Sequence, residues 1–323
     1  MKTTTLNRLT LVAAVASIGT IAHGRDWTPD AYDYQVNTIE TYDNMYVHQH
    51  AAMVGAAGFL TTINAWLYGS RGSFTVNDGG FWNVDSAYVG VGPAGEPGAV
   101  SSIALFNGTI NADVLLQLGD SQQAEVAFLV DQDVSNSHTA PCYLNAKEID
   151  MRRGVINIQH TVVTVERLSV AALPNGAAPS IILSGTAQLV LQGGNSPSDV
   201  SFEALPGAKM RLVLDGSNAP FVQGTIGGSY TGDLDLVVSS STTFALGTEI
   251  QIFNDFPVNL VPDIVVATGS GQEFLVQEKT WGQSRTTWLI AIPEPSTYAL
   301  IGGLGAVALA VLGRRRRGGQ VCA

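Results

Sequence analysis

Two histidines near the N-terminal end of the chain have the spacing of metal ligands on a β-strand. His48 and His50 are two residues apart, so on a strand both imidazoles project from the same face and could share a metal ion. A third ligand is not evident nearby, and a pair of solvent-facing histidines fits the pattern as well. We therefore predict no metal here and no other cofactor in the chain.

A short acidic segment in the middle of the chain offers oxygen ligands for calcium. Asp131 and Asp133 are followed by Asn136, and carboxylates and amide oxygens are the ligands that calcium prefers. The segment lacks the glycine and the terminal acidic residue of an EF-hand loop. A hydrated acidic loop is the simpler interpretation.

The densest charged run of the chain extends from Lys147 to Arg153. On a strand, alternation would place Glu148, Asp150 and Arg152 on one side. Acids that hold a cation beside a lysine or arginine base are what a β-helix enzyme uses to cleave a polysaccharide. Charge-paired decoration of an exposed strand explains the same run, and we adopt that interpretation.

The motifs of nucleophilic and phosphate chemistry are missing from the sequence. There is no Gly-x-Ser-x-Gly elbow, no phosphate-binding loop, no Cys-x-x-Cys pair and no His-Glu-x-x-His helix. Cys142 is expected to be buried and unreactive. Asn107-Gly108-Thr109 matches the N-glycosylation pattern, but a three-residue match arises often by chance.

The elements that would position these residues are predicted to be strands. The chain is 46% apolar and 13% charged with 35 glycines, which excludes an acidic disordered chain and a long helical protein. Period-two alternation recurs in short runs separated by turn residues, which predicts an all-β fold. Representative runs are 73–76, 103–106, 155–158, 161–165, 181–183, 188–191, 210–214, 234–238 and 250–253.

A loose repeat suggests how these strands are arranged. The segments that begin at Gly72, Ser102 and Gly154 each read as a strand, a polar corner and a second strand over about twenty residues. This outline resembles the right-handed parallel β-helix passenger domains of autotransporter-like proteins, in which coils stack on one another. A β-sandwich or jelly roll remains the alternative, because antiparallel sandwiches show similar strand spacing.

The central chain is predicted to have a cap and a body. Residues 25–70 crowd tyrosines into a polar stretch, which we interpret as an N-terminal cap over the first coil. Residues 71–292 form the β-rich mature domain, and its last part, from about residue 229, closes the other end.

The charge of this central region excludes two classes of partner. Between Arg25 and Ile292 there are 26 acidic and 10 basic residues, an excess of 16 negative charges. Nucleic acids and anionic membrane surfaces require cationic protein surface. We therefore expect no nucleic-acid partner.

Both ends of the chain are predicted to be targeting segments. Residues 1–24 combine a basic start, an apolar core and a small-residue cleavage site, which predicts a secretory signal peptide. Residues 293–323 contain an uncharged apolar stretch, 298–312, followed by a cluster of arginines. The arginines would remain cytoplasmic and lengthen the effective span of a short transmembrane helix in the inner membrane.

This C-terminal segment resembles the PEP-CTERM sorting tail of Gram-negative bacteria. Three unlike features follow one another in the order of that family: the tripeptide Pro293-Glu294-Pro295, the apolar helix and the cluster Arg314-Arg315-Arg316-Arg317. The resemblance implies that a membrane enzyme of the exosortase type recognises the tail and removes it. The protein would be exported across the inner membrane, anchored transiently and then left at the cell surface or outside the cell.

Together these observations predict a surface-destined β-rich protein that acts as a structural, adhesive or matrix component rather than as a catalyst. Extracellular polysaccharide is the expected contact. The alternative is an extracellular β-helix polysaccharide lyase or hydrolase, which would require the carboxylates between Asp131 and Arg153 to converge in one groove. Ice binding would require a flat face of regularly spaced threonines, and the threonines of this chain are scattered.

Overall fold

The computed structural model describes residues 26–27, 34–48, 50–68, 72–91, 100–119, 125–131, 142–173, 178–193, 196–215, 220–240, 242–256, 260–268, 272–282 and 284–292. The described residues are all-β, as predicted, and contain no helix other than the single 3-10 turn Pro197–Asp199. Each of the predicted runs overlaps a strand.

The described residues form strands in the following order: β1 (Asp26–Trp27), β2 (Tyr34–Val36), β3 (Ile39–His48), β4 (Ala51–Val54), β5 (Phe59–Tyr68), β6 (Ser73–Asn77), β7 (Phe81–Val89), β8 (Val100–Phe106), β9 (Thr109–Leu118), β10 (Glu125–Asp131), β11 (Tyr143–Met151), β12 (Val155–Gln159), β13 (Val162–Val170), β14 (Ser180–Ser184), β15 (Gln188–Leu191), β16 (Ser201–Ala204), β17 (Lys209–Leu214), β18 (Phe221–Gln223), β19 (Ser229–Ser240), β20 (Glu249–Phe256), β21 (Leu260–Thr268), β22 (Glu273–Trp281) and β23 (Ser284–Ile292).

Most strands pair in parallel with the equivalent strand of the next coil. The short strands β4, β6, β8, β10, β12 and β14 form one continuous parallel ladder. The long strands β3, β5, β7, β9, β11 and β13 form another. Parallel stacking of successive coils is the arrangement of a β-solenoid. The β-sandwich alternative is wrong, because sandwich strands pair in antiparallel fashion. The right-handed sense of the coil stays a prediction.

Each coil has three sides. From β3 to β13, side 1 is formed by the short strands, side 2 by the first halves of the long strands, and side 3 by their second halves. Further along, β16 and residues 229–232 of β19 continue side 3. The division is clearest after β13, where residues 162–165 pair with β15 and residues 167–170 pair with the separate strand β16. At the bend of β5 two consecutive residues, Ile63 and Asn64, face outward. A strand that turns a corner must break the period-two alternation in this way.

A single apolar core runs through the coils. Inward positions of successive strands lie directly above one another, as in the side 2 row of Leu60, Trp82, Ile110 and Leu144. All four side chains are fully buried. Burying a side chain of this size contributes about 1.5–3 kcal/mol. The alternation that predicted strands therefore also determines which residues fill the core.

Left-handed residues turn the chain from side 1 to side 2. Asp78, Asn107 and His160 have φ angles of 52°, 49° and 51° at equivalent corners of three coils. Asparagine and aspartate tolerate this conformation better than most residues. Asn77-Asp78 and Asn107-Gly108 thus have the residue types that supply positive φ angles at tight corners.

The two ends of the coil stack differ. Within the region 25–70, expected to be a cap, β3 pairs in parallel with β5, and β5 with β7, so these strands stack as coils. At the other end, β23 lies between β20 and β22 and pairs with both in antiparallel fashion. We name these three strands the C-terminal sheet. The last described residue, Ile292, directly precedes Pro293.

Within the described ranges, no helix has the length and apolar composition needed to cross a membrane. The predicted signal peptide 1–24 and the predicted transmembrane segment 298–312 lie outside the described residues.

Candidate functional site

The histidine pair does not assemble a metal site in the part of the chain that the structure describes. His48 ends β3, and its exposed ring stacks on the ring of Tyr68 with centroids 4.7 Å apart. No group of three or more His, Cys, Asp or Glu side chains that could hold a metal ion is found among the described residues. The His48 imidazole thus belongs to a stack of rings.

The acidic segment is only partly described. Asp131 ends β10, and its Oδ1 lies 3.4 Å from Nδ1 of His160 on the next coil. Asp133 and Asn136 lie outside the described residues. Asp131 therefore takes part in a contact between coils.

The charged run from Lys147 to Arg153 occupies the last part of the strand β11 and the two residues after it. Asp150 forms an ion pair with Arg152, in which Oδ2 lies 2.8 Å from a guanidinium nitrogen. Oε2 of Glu148 lies 3.5 Å from Nε of Arg167 on β13. Both arginines are thus engaged with carboxylates. This pairing supports charge-paired decoration of an exposed strand over a free base next to a metal.

Even so, these carboxylates face a groove. Glu148 and Asp150 line a depression of about 540 Å³ on side 3 together with Glu203 of β16. Asp131 does not line it. The convergence that the enzyme alternative requires is therefore incomplete: of the described carboxylates between Asp131 and Arg153, Glu148 and Asp150 meet in this groove and Asp131 does not.

Two further sequence candidates are buried. Burial raises the pKa of the Cys142 thiol, which keeps it protonated and unreactive at neutral pH. Asn107 is 2% exposed, so the acceptor amide of the glycosylation pattern is inaccessible in the folded protein.

The most distinctive feature of the surface is a stack of aromatic rings on side 3. Tyr46, Trp66 and Tyr88 occupy the same outward position on β3, β5 and β7. The Tyr46 and Trp66 centroids are 4.9 Å apart with planes at 8°, and the Trp66 and Tyr88 centroids are 5.6 Å apart at 14°. The three rings therefore form one stack of near-parallel rings, and each of them is half-buried. His48 and Tyr68 form a second stack beside the first, and we call these five residues the aromatic face.

Uncharged amides border the aromatic face on its other side. Asn44 Nδ2 donates to Asp26 Oδ1 at 2.8 Å, and Asn64 Nδ2 donates to Asn44 Oδ1 at 3.3 Å. These side chains lie two positions before Tyr46 and Trp66, so they project from the same side of the sheet. Half-buried rings beside hydrogen-bonding amides form a surface suited to sugars, whose rings have apolar faces and hydroxyl rims.

The aromatic face was missed at the level of sequence. The crowded tyrosines of 25–70 were interpreted as a cap, whereas Tyr46 begins a ladder that extends into the body of the solenoid. The signal was present as Tyr46-x-His48 followed one coil later by Trp66-x-Tyr68. Recognising it required the coil register.

Comparison with known proteins bears on the C-terminal segment. A family model, the PEP-CTERM protein-sorting motif, matches residues 291–317. The match contains Pro293-Glu294-Pro295 and the arginine cluster 314–317. No curated protein and no solved structure matches the chain. The chain therefore carries a PEP-CTERM sorting motif, which indicates an exported, surface-sorted protein processed by an exosortase-type enzyme.

Proposed function

We propose that this exported protein is a structural or adhesive component of the cell surface or extracellular matrix that holds neutral polysaccharide on its aromatic face. The stack of Tyr46, Trp66 and Tyr88 carries the proposal. Aromatic rings provide large, rigid apolar contacts without charge complementarity, which is what the apolar face of a pyranose requires.

The charge of the molecule supports a neutral ligand. The chain carries a formal net charge of -11 at pH 7, so an anionic polysaccharide would be repelled. The amides of Asn44 and Asn64 provide both donors and acceptors to the hydroxyls of an uncharged sugar.

The remaining steps concern sorting. The segment 1–24 directs export across the inner membrane, and 298–312 anchors the chain there transiently with the cluster Arg314–Arg317 on the cytoplasmic side. Removal of the tail at or near Pro293-Glu294-Pro295 then leaves the solenoid at the surface or outside the cell. The autotransporter-like resemblance and the right-handed coil belong to the same proposal.

Binding to insoluble glucans tests the function. The exported protein, purified from the host that processes it, is mixed with cellulose or curdlan and centrifuged, and the free and bound fractions are measured. We expect Trp66→Ala to weaken binding by at least about fivefold, which corresponds to about 1 kcal/mol of lost stacking. Phe81→Ala is the matched control, because Phe81 also stacks on a neighbouring ring, that of Phe59, but on side 2.

The comparison of the two variants distinguishes specific binding at the aromatic face from non-specific adsorption to other exposed aromatic rings. Equal losses in both variants, or binding that neither substitution changes, would contradict the proposal. Thermal unfolding of each variant shows that the fold is retained.

A second function, polysaccharide cleavage, is favoured by one observation alone. Glu148 and Asp150 of β11 line the same groove as Glu203 of β16, with β13 between the two strands. The engagement of Arg152 and Arg167 in ion pairs opposes it, because neither guanidinium is left as a free base beside the carboxylates.

A further inference from the structure

The row that contains the aromatic stack continues along side 3 beyond Tyr88. Strand pairing places one outward residue of each later coil in line with it. In coil order, the row reads Tyr46, Trp66, Tyr88, Gln117, Asp150, Ser169, Glu203 and Thr231. The later members all carry groups that hydrogen-bond to hydroxyls. One straight line of outward side chains therefore changes from aromatic to polar along the solenoid.

The polar part of the row lies in the groove of about 540 Å³. Asp150, Ser169 and Glu203 line it as consecutive members of the row, and Leu173 and Leu205 add apolar side chains to the lining. A groove of this size is within the range of small-ligand sites. Since these row residues are continuous in register with the aromatic stack, one elongated ligand can occupy both.

The charge of the groove favours an uncharged ligand here as well. Its lining includes three carboxylates, Glu148, Asp150 and Glu203, and two guanidinium groups, those of Arg152 and Arg167. Each arginine is held by a carboxylate of β11. An acidic polymer would meet an excess of negative charge, whereas hydroxyls can both donate to carboxylates and accept from arginines.

We infer that side 3 is a single binding tract for one extended chain of a neutral polysaccharide that runs parallel to the solenoid axis. The sugars at one end stack on the aromatic face, and those at the other end hydrogen-bond within the groove. This inference rests on the proposed function and specifies its ligand. With a strand spacing of about 4.8 Å, the eight positions of the row span about 34 Å. At one sugar per rung, about seven sugars fill the tract.

The test compares ligand lengths in the exported protein. Oligomers of about three and about seven glucose units are prepared from whichever glucan binds, cellulose or curdlan, and their affinities are measured by calorimetry. We expect the longer oligomer to bind at least about tenfold tighter, because the trimer fills only the aromatic end. We expect Glu203→Gln to weaken binding of the longer oligomer by about threefold or more and to leave the trimer unchanged.

Asp85→Asn provides the matched control, because Asp85 is an exposed carboxylate at the bend of β7 and lies outside the row. Asp85→Asn should change neither the affinity for the trimer nor the affinity for the longer oligomer. The single binding tract would be contradicted if the trimer and the longer oligomer bound with equal affinity, or if Glu203→Gln weakened the binding of both equally. The aromatic face would then be a short binding site by itself. Tighter binding of polygalacturonate than of either glucan would overturn the neutral ligand class. If the protein binds neither glucan, the proposed function itself fails.

Discussion

The indole Nε1 of Trp82 donates a buried hydrogen bond of 3.0 Å to Oγ1 of Thr62, on the preceding coil. Thr62 is 1% exposed and Trp82 is fully buried. The pair lies among apolar residues, so it joins two coils at a point where neither group can turn to water.

Thr62→Val should destabilise the protein by about 1–3 kcal/mol, because the buried indole N–H would lose its acceptor. The shift of the chemical or thermal unfolding midpoint measures the loss. Thr61→Val is the control, since Thr61 faces outward on the same strand, and it should change stability by no more than about 0.5 kcal/mol. A similar shift in both variants would contradict this account of the hydrogen bond.

Gly185→Ala should lower stability more than Gly247→Ala. Both glycines have positive φ angles, 61° and 82°, so both substitutions carry a backbone cost of about 1–2 kcal/mol. A Cβ on Gly185 would also meet the imidazole of His160, whereas one on Gly247 would meet nothing within 4 Å.

The difference between the two glycine variants isolates the contact with His160. Adding His160→Ala to Gly185→Ala should recover part of the loss, as a double-mutant cycle would show. Additivity of the two substitutions would indicate that the imidazole is not the obstacle.

Cys142 should resist alkylation in the folded protein and react after unfolding. Burial raises its pKa, so little thiolate is present at neutral pH. The rate of iodoacetamide modification of the Cys142 peptide, followed by mass spectrometry with and without denaturant, measures this directly. Rapid modification under native conditions would contradict it.

The same pKa shift predicts a loss of stability in alkaline solution. The folded state keeps the thiol neutral at a pH where the unfolded chain already ionises it. The contribution of Cys142 is therefore complete below the ordinary thiol pKa and is lost as pH rises toward the raised value. Cys142→Ala should flatten this alkaline decline in the unfolding midpoint.

The protein should not cleave polysaccharides. In the presence of calcium, incubation with pectic, alginate-like and neutral glucan substrates should release no more reducing or unsaturated ends than a Glu148→Ala, Asp150→Ala double variant does. Arg152 and Arg167 beside these carboxylates are engaged in ion pairs, so neither guanidinium is free to act as the base in the reaction. If the protein turns over a substrate and the double substitution abolishes this activity, the protein is a polysaccharide-cleaving enzyme instead.

Processing of the tail should be visible in the mass of the exported protein. The dominant species should begin at Arg25 and lack Arg314–Arg317, because an exosortase-type enzyme removes the matched segment. Replacing Pro293-Glu294-Pro295 by alanines should leave the tail in place. A dominant native species that still contains Arg317 would contradict the sorting proposal.

Much of the fold is encoded locally. Alternation predicted the strands, because a side chain that points inward is followed by one that points outward whatever the strand pairs with. The left-handed corners at Asp78 and Asn107 were predictable from residue type, since these side chains tolerate a positive φ. The sorting motif was predictable because it is a short linear signal that does not depend on the fold.

The candidate site depended on tertiary structure. Asn44 and Asn64 are 20 residues apart and Asn111 and Asn145 are 34 residues apart, yet each pair joins neighbouring coils by a hydrogen bond. Turns of different length change the separation along the chain, whereas hydrogen bonding fixes the distance between strands. The sequence by itself therefore determined which residues face outward, and only the register of the coils decided that Tyr46, Trp66 and Tyr88 lie in one row with Glu203.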